Sequence, residues 1–371
     1  MAAAVGGTAC APRPAPEAMG PPPRRPRILV EAAWQSGTIG DAAQTLGLLR
    51  MLALPLPGTE LGLRPPAGAG VAATVARLFP KVEIVSGDPA LAACALRLYA
   101  PAPGPAACAG LENWWKRTGK PWGVFGAAPA RPSPQLVAAL GGAYFVFASD
   151  TAALTTLRRA GVKRPRLAFA PEPALALKAA DEAAAKVFLA RHGLEPKKFL
   201  AVAPYGPPGA DTARLRQVIE AWVRQTGHPV LICPAAGGAA ESGLLYDPLP
   251  AAVKDRVVRR PDSWAVEEAS SVYRRAVAVL SQESWSPMVA AVNDTPFLYV
   301  PRRGANPGLV WKDLGLGDCL MDPGRATGAE IARAVLAIYR DYAAAQVTVH
   351  EAVIYARKLQ TDAVEWIRTL L

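Results

Sequence analysis

One polar run gathers several side chains able to do chemistry: Ser281-Gln282-Glu283-Ser284-Trp285-Ser286. It offers a carboxylate, an amide, an indole and hydroxyls within a single turn of chain. It follows an apolar run at 276–280 that reads as a buried strand. After it come a helix-like run and a second apolar run at 295–300. The junction of a strand end with a helix start is where open α/β folds place their ligands. Glu283 is the candidate acid or hydrogen-bond orienter, and a Glu at this place would equally cap the following helix. Ser284 and Ser286 are candidate substrate-binding residues. Trp285 could stack on a sugar ring or lie in the core.

A second cluster sits near the start. Residues 27–30 read as a short strand, 42–54 as an amphipathic helix, and Ser36-Gly37-Thr38-Ile39-Gly40-Asp41 lies between them. Strand, glycine-bearing loop and helix form a phosphate cradle when backbone amides and the positive helix end face an anion. The same residues also make a tight turn with Asp41 as helix N-cap. Asp41 is the second catalytic candidate, with Ser36, Gly37, Thr38 and Gly40 as binding residues. A third group, Arg302, Arg303 and Lys312, follows the run at 295–300. These side chains suit a phosphate or carboxylate, or a solvated basic loop with a Lys312–Asp313 pair at a helix start.

The cysteines Cys10, Cys94, Cys108, Cys233 and Cys319 and the histidines His192, His228 and His350 show no metal-ligand or redox spacing. No metal or cofactor is expected, and scattered reduced thiols point to the cytoplasm.

Strand-like and helix-like runs alternate along the chain, with strands at 59–63, 82–85, 122–125, 143–148 and 166–169. Residues 89–99 read as one helix. The stretch 170–180, with Pro171 and Pro173, reads as a linker. A second alternating series follows, with strands at 199–203, 229–233, 256–258 and 276–280, and two helices close the chain. Such alternation predicts parallel sheets wound on both faces. The expected organisation is a disordered tail at 1–26, an N-terminal Rossmann-like domain at 27–175, a C-terminal one at 176–345, and a last helix at 346–371 that could cross back to the first domain. Two α/β doubly wound domains facing a cleft make a GT-B-like architecture.

At 371 residues and 51% hydrophobic content, the chain can fill two cores. Its net charge of +11 permits an anionic partner. The Arg and Lys residues are dispersed, and no basic helix or aromatic-basic ribbon occurs, which argues against nucleic acid. No run of about 18 apolar residues is present, so no membrane span is expected.

Several stretches together resemble the polysaccharide pyruvyl transferase family. They are Ile39-Gly40-Asp41, Thr118-Gly119-Lys120-Pro121-Trp122-Gly123-Val124, Phe147-Ala148-Ser149-Asp150-Thr151, Pro171-Glu172-Pro173-Ala174, Tyr246-Asp247-Pro248-Leu249-Pro250, Glu283-Ser284-Trp285-Ser286-Pro287-Met288 and Trp311-Lys312-Asp313-Leu314-Gly315-Leu316. The resemblance implies transfer of a pyruvyl group from phosphoenolpyruvate, an anionic small-molecule donor, to the hydroxyls of a saccharide acceptor in a cell-surface polysaccharide. That chemistry needs a titrating group to protonate the enol and cations around the phosphate. The chain departs from the pattern. Trp285 stands where the family motif has a histidine, and an indole cannot titrate. Ser149 replaces an arginine, Glu172 an aspartate, and Pro307 a lysine. The resemblance therefore leaves open a divergent transferase and a binding protein that has lost catalysis. A glycosyltransferase using a nucleotide sugar on the same architecture is a third reading, with Pro234-Ala235-Ala236-Gly237-Gly238 and Glu241 as its pocket.

Overall fold

Runs such as Ile28-Leu29-Val30 have no polar face, which suits strands covered on both sides by helices. The computed structural model describes residues 25–32, 39–64, 71–100, 105–129, 131–163, 165–205, 209–234, 239–260, 262–302 and 307–371. Residues 1–24 of the expected tail, Ser36, Gly37 and Thr38 of the cradle, Arg303, and residues 235–238 lie outside them.

The first sheet contains β1 (Arg27–Ala32), β2 (Glu60–Arg64), β3 (Glu83–Ile84), β4 (Leu96–Ala100), β5 (Trp122–Ala127), β6 (Phe145–Ala148) and β7 (Arg166–Phe169). Its order is β3-β2-β1-β4-β5-β6-β7. The second contains β8 (Leu200–Ala203), β9 (Val230–Ile232), β10 (Val257–Arg259), β11 (Ala278–Ser281) and β12 (Phe297–Tyr299), in the order β10-β9-β8-β11-β12. All named pairings are parallel. The chain thus has two doubly wound, Rossmann-like α/β domains.

One strand was misread from sequence. Residues 89–99 form only a short helix, Asp88–Ala93, and then β4, which pairs with both β1 and β5. The alanine-rich stretch up to Ala95 hides the change of period. Arg97, a charge inside a central strand, adds to the disguise. The fold satisfies it by pairing with Glu31 on β1 and by stacking over the Trp114 ring, 5.2 Å from its centroid.

The two halves share apolar contacts. One continuous core cluster runs from Ile28 and Leu46 through Met288 and Val289 to Trp311 and Ile367. The 170–180 stretch is tied to the first half rather than loose. Within it, the turn Pro173–Ala176 packs on the helix Ile39–Ala53. A Cβ at Gly47 would come 2.0 Å from the Pro173 carbonyl oxygen, so only glycine permits this approach. Gln44 accepts a hydrogen bond from the Ala174 amide, 3.1 Å. The final helix, Tyr342–Arg368, lies against the same turn, with Gln360 Nε2 donating to the Glu172 carbonyl at 2.8 Å. Its Trp366 ring meets Phe145 and Phe147 of the first sheet edge-on, at 5.5 and 6.1 Å. Among the described residues, no helix is long and apolar enough to cross a membrane.

Candidate functional site

In parallel sheets the strand ends and helix starts converge on one side. In the first sheet that side carries the start of the Ile39–Ala53 helix and the segment after β6. In the second it carries the segments after β8, β11 and β12. The structure brings two of the sequence clusters into contact here. The Trp285 ring lies over Gly40, so that a Cβ at position 40 would sit 2.2 Å from the ring carbons. Asp41 is in the first turn of the helix that begins at Ile39, half-buried beside this contact. It therefore does not take the N-cap position.

Glu283 is committed to the local turn. Its Oε2 accepts from the Trp285 amide at 2.6 Å, and its Oε1 from the Ser286 amide at 2.7 Å. A carboxylate at the start of the Trp285–Ala291 helix satisfies amides that have no intrahelical partner and complements the helix dipole. Burial pushes the Glu283 carboxyl above its ordinary range, against the pull of Ser286 and the two amides. Ser281 fixes the turn from behind. Its hydroxyl donates to the Glu283 carbonyl at 2.8 Å and accepts from the Glu283 amide at 3.1 Å.

The remaining candidates separate. Ser284 is half-buried and makes no side-chain cap bond. Ser286 is buried, its hydroxyl 2.8 Å from the Tyr273 hydroxyl, so it faces the core cluster that the two halves share. Lys312 is exposed. Its neighbour Asp313 does not pair with it. Instead, Asp313 accepts from the Thr151 amide and hydroxyl, both at 2.7 Å, across from the second half to the first. Arg302 is half-buried after β12. Its Nε lies 3.6 Å from Asp211 Oδ2 and has no hydrogen-bond partner. Gln282 accepts from the Tyr205 amide at 3.3 Å, joining the ends of β8 and β11. The helix Ala210–Thr226 starts beside Arg302 and has no side-chain cap.

Sequence reasoning passed over a buried acidic group. Glu172 is 5% exposed, and its Oε2 has no partner. Burial, with Asp150 and Asp313 nearby, pushes its carboxyl up to about 8. Asp150 is also raised, first by burial, while its Oδ1 caps the helix Thr151–Arg159 through the Ala153 amide at 2.6 Å. An Asp directly before a helix was the available signal for that cap. Glu172, inside a Pro-x-Pro turn, gave none. The histidines sit elsewhere: His228 against Tyr339, His350 against Asp294, and His192 against Phe188. Among the described residues, no group of three His, Cys, Asp or Glu could hold a metal ion.

No family model matches the chain, and no curated protein matches it by sequence. Solved structures do match in fold. HepE from Anabaena, in complex with UDP-glucose, is similar over 93% of this chain and 100% of its own, at 15% identity and a TM-score of 0.60. MnaA from S. aureus, in complex with UDP, is similar over 93% and 98%, at 14% identity and a TM-score of 0.63. The ADP-heptose LPS heptosyltransferase II of E. coli covers 85% of this chain and 99% of its own, at 13% identity and a TM-score of 0.52. These likenesses establish the two-domain GT-B fold.

They also overturn the resemblance to polysaccharide pyruvyl transferases, because the fold neighbours are glycosyltransferases and epimerases of the GT-B class. The motifs that suggested it have packing roles in this chain. Gly40 makes room for Trp285, and Glu283 caps a helix. Trp311 packs on Phe297 with ring centroids 4.5 Å apart, and Asp313 caps the Thr151–Arg159 helix.

Proposed function

We propose that the chain is a glycosyltransferase that takes a sugar from a nucleotide-sugar donor and passes it to a saccharide hydroxyl in the cleft between the two sheets. The observation that carries this reading is Arg302. It is a half-buried guanidinium at the mouth of the second sheet, its Nε 3.6 Å from Asp211 Oδ2 and without a hydrogen bond, beside a helix start that no side chain caps. A cation beside an uncapped helix start at a strand-end crevice suits a diphosphate. HepE and MnaA, which share the architecture, were solved with UDP-glucose and UDP.

In such a transfer the acceptor oxygen bonds to the sugar's anomeric carbon while the bond from that carbon to the diphosphate oxygen breaks. The acceptor proton passes to a carboxylate, and the diphosphate leaves with the bonding electrons. Arg302 would stabilise the departing charge, with Arg303 and Lys312 as the other proposed cationic binding residues. Asp41 is the proposed proton acceptor. Trp285, held by Glu283 and Gly40, would form an apolar wall for the sugar ring beside Ser284. Ser36, Gly37 and Thr38, shortly before Asp41 in the chain, are the further proposed substrate-binding residues.

Titration calorimetry with UDP, UDP-glucose, ADP and phosphoenolpyruvate tests this. At least one nucleotide should bind with a Kd between about 1 μM and about 1 mM, and Arg302→Ala should weaken it about tenfold. Absence of binding by every nucleotide and nucleotide sugar tried would defeat the reading.

A further inference from the structure

The segments that follow β8, β11 and β12 form the mouth of the second sheet. Among their described residues, one large apolar side chain is exposed. Tyr205, just past β8, is 40% exposed. The other rings nearby are covered: Tyr299 is buried, and Trp285 lies over Gly40.

The Tyr205 ring stands on a fixed backbone. Its amide donates to Gln282 Oε1 at 3.3 Å, and Gln282 is itself buried. The Gln282 amide donates in turn to the Ala203 carbonyl at 3.0 Å, which carries the β8–β11 pairing past both strand ends. A tyrosine held in this way offers a flat face at a small cost in conformational freedom, because only two side-chain torsions remain. The ring also lies within electrostatic reach of the polar floor of the mouth. The Tyr299 hydroxyl is held well above its ordinary value, by burial first and then by Glu283 and Tyr205.

The place of the proposed diphosphate decides which part of a donor meets this ring. Arg302 follows β12, yet its Nε lies 3.6 Å from Asp211 Oδ2, in the first turn of the helix Ala210–Thr226. The chain reaches that helix from β8 through the segment that begins with Tyr205. The cation is thus drawn toward the β8 side of the mouth. The proposed sugar wall, Trp285, belongs to the β11 side and touches the first half. With sugar and diphosphate placed, the nucleoside is the part left for Tyr205, and its base is a flat ring.

We propose that Tyr205 is the platform on which the nucleobase of the donor stacks, an inference that rests on the glycosyltransferase reading above. Every base has a π face, so the ring adds affinity for the nucleoside without choosing among bases. The hydrogen bond from the Tyr205 amide to Gln282 keeps the platform level with the proposed diphosphate site.

Titration calorimetry of the full chain with UDP and ADP tests the proposal, with pyrophosphate measured by competition against whichever nucleotide binds. Tyr205→Ala should weaken each bound nucleotide about tenfold. Tyr205→Phe keeps the ring and should stay within about twofold of the unaltered chain. Pyrophosphate carries no base, so it should compete far more weakly than the nucleotide and to the same extent in Tyr205→Ala. Should the alanine variant fold poorly, Tyr205→Leu repeats the measurement with an apolar side chain that has no flat face. Nucleotide binding that is equal in the unaltered chain, Tyr205→Ala and Tyr205→Leu removes the platform and leaves the glycosyltransferase reading standing. Equal losses in Tyr205→Phe and Tyr205→Ala place the contact at the hydroxyl and overturn the stacking. Pyrophosphate that competes as well as the nucleotide, or that loses as much in Tyr205→Ala, also overturns it. Absence of binding by every nucleotide tried overturns the reading and the proposal together.

Discussion

The Trp285 indole covers Gly40 so closely that no side chain fits between them: a Cβ at position 40 would lie 2.2 Å from the ring. The two residues belong to different halves of the molecule. Each begins a helix at the mouth of its own sheet, so the contact sets how the two mouths face each other. Gly40→Ala must push the indole aside or part the helices. Overpacking of this kind costs about 1–3 kcal/mol. Trp285→Ala removes the obstacle, so the double variant should lose less stability than the sum of the single variants. A double-mutant cycle by urea unfolding should return a coupling of at least about 0.5 kcal/mol. Strict additivity would mean that the two residues do not touch in solution.

Glu283 is held in its turn by geometry, since each carboxylate oxygen already accepts a backbone amide. Glu283→Ala should cost about 0.5–2 kcal/mol through loss of the cap. Glu283→Gln keeps one acceptor and should cost less. If Glu283 only positions Trp285, Gln at 283 should leave the pH profile of turnover unshifted while Ala lowers activity. A pH limb that disappears in Glu283→Gln would return Glu283 to the role of acid.

The parts of the fold legible from sequence are those where one short run decides the outcome. Apolar runs such as those at 122–125 and 276–280 became strands, and their alternation with helices gave the two-domain plan. β4 was not legible, because its identity depends on Glu31 and Trp114 receiving Arg97, which no local pattern shows. At the site, Ser281–Ser286 was placed correctly at a strand end. Its roles were set by partners distant in sequence: Gly40 for Trp285 and Tyr273 for Ser286. Family-like motifs misled for the same reason. A glycine under a ring or a carboxylate over a helix start is demanded by packing, whatever reaction runs nearby.

Asp313 joins the halves a second time, through two hydrogen bonds to Thr151. Asp313→Ala leaves the Thr151 amide dependent on water and removes a charged cap. The expected loss is about 1–2 kcal/mol. Thr151→Val keeps the amide but removes the hydroxyl, and should cost roughly half as much. A stronger prediction concerns the path of loss: limited proteolysis should cut the segment between the halves faster in Asp313→Ala. Unchanged cleavage there would show that this contact does not hold the halves together.

Glu172 gives the chain a pH dependence whose sign follows from its surroundings. Its carboxyl is raised from 4.5 to about 8, chiefly by burial and further by Asp150 and Asp313. Asp150 is displaced in the same direction. The folded state thus holds a proton that the unfolded chain releases above its ordinary carboxyl range. The contribution to stability is complete below pH 4.5 and declines as pH rises through about 8, after which it changes little. Its total is on the order of a few kcal/mol, spread over that window. Melting temperature should therefore fall from about pH 5 to about pH 9 by several degrees through this group. Glu172→Gln keeps the shape and cannot ionise, so its profile should be flatter and its melting point higher than that of the unaltered chain at the alkaline end. Gln360, which donates to the Glu172 backbone carbonyl, does not neutralise the carboxyl and should not mask the effect. Parallel profiles for the two proteins would mean that Glu172 is ionised and solvated in the folded state.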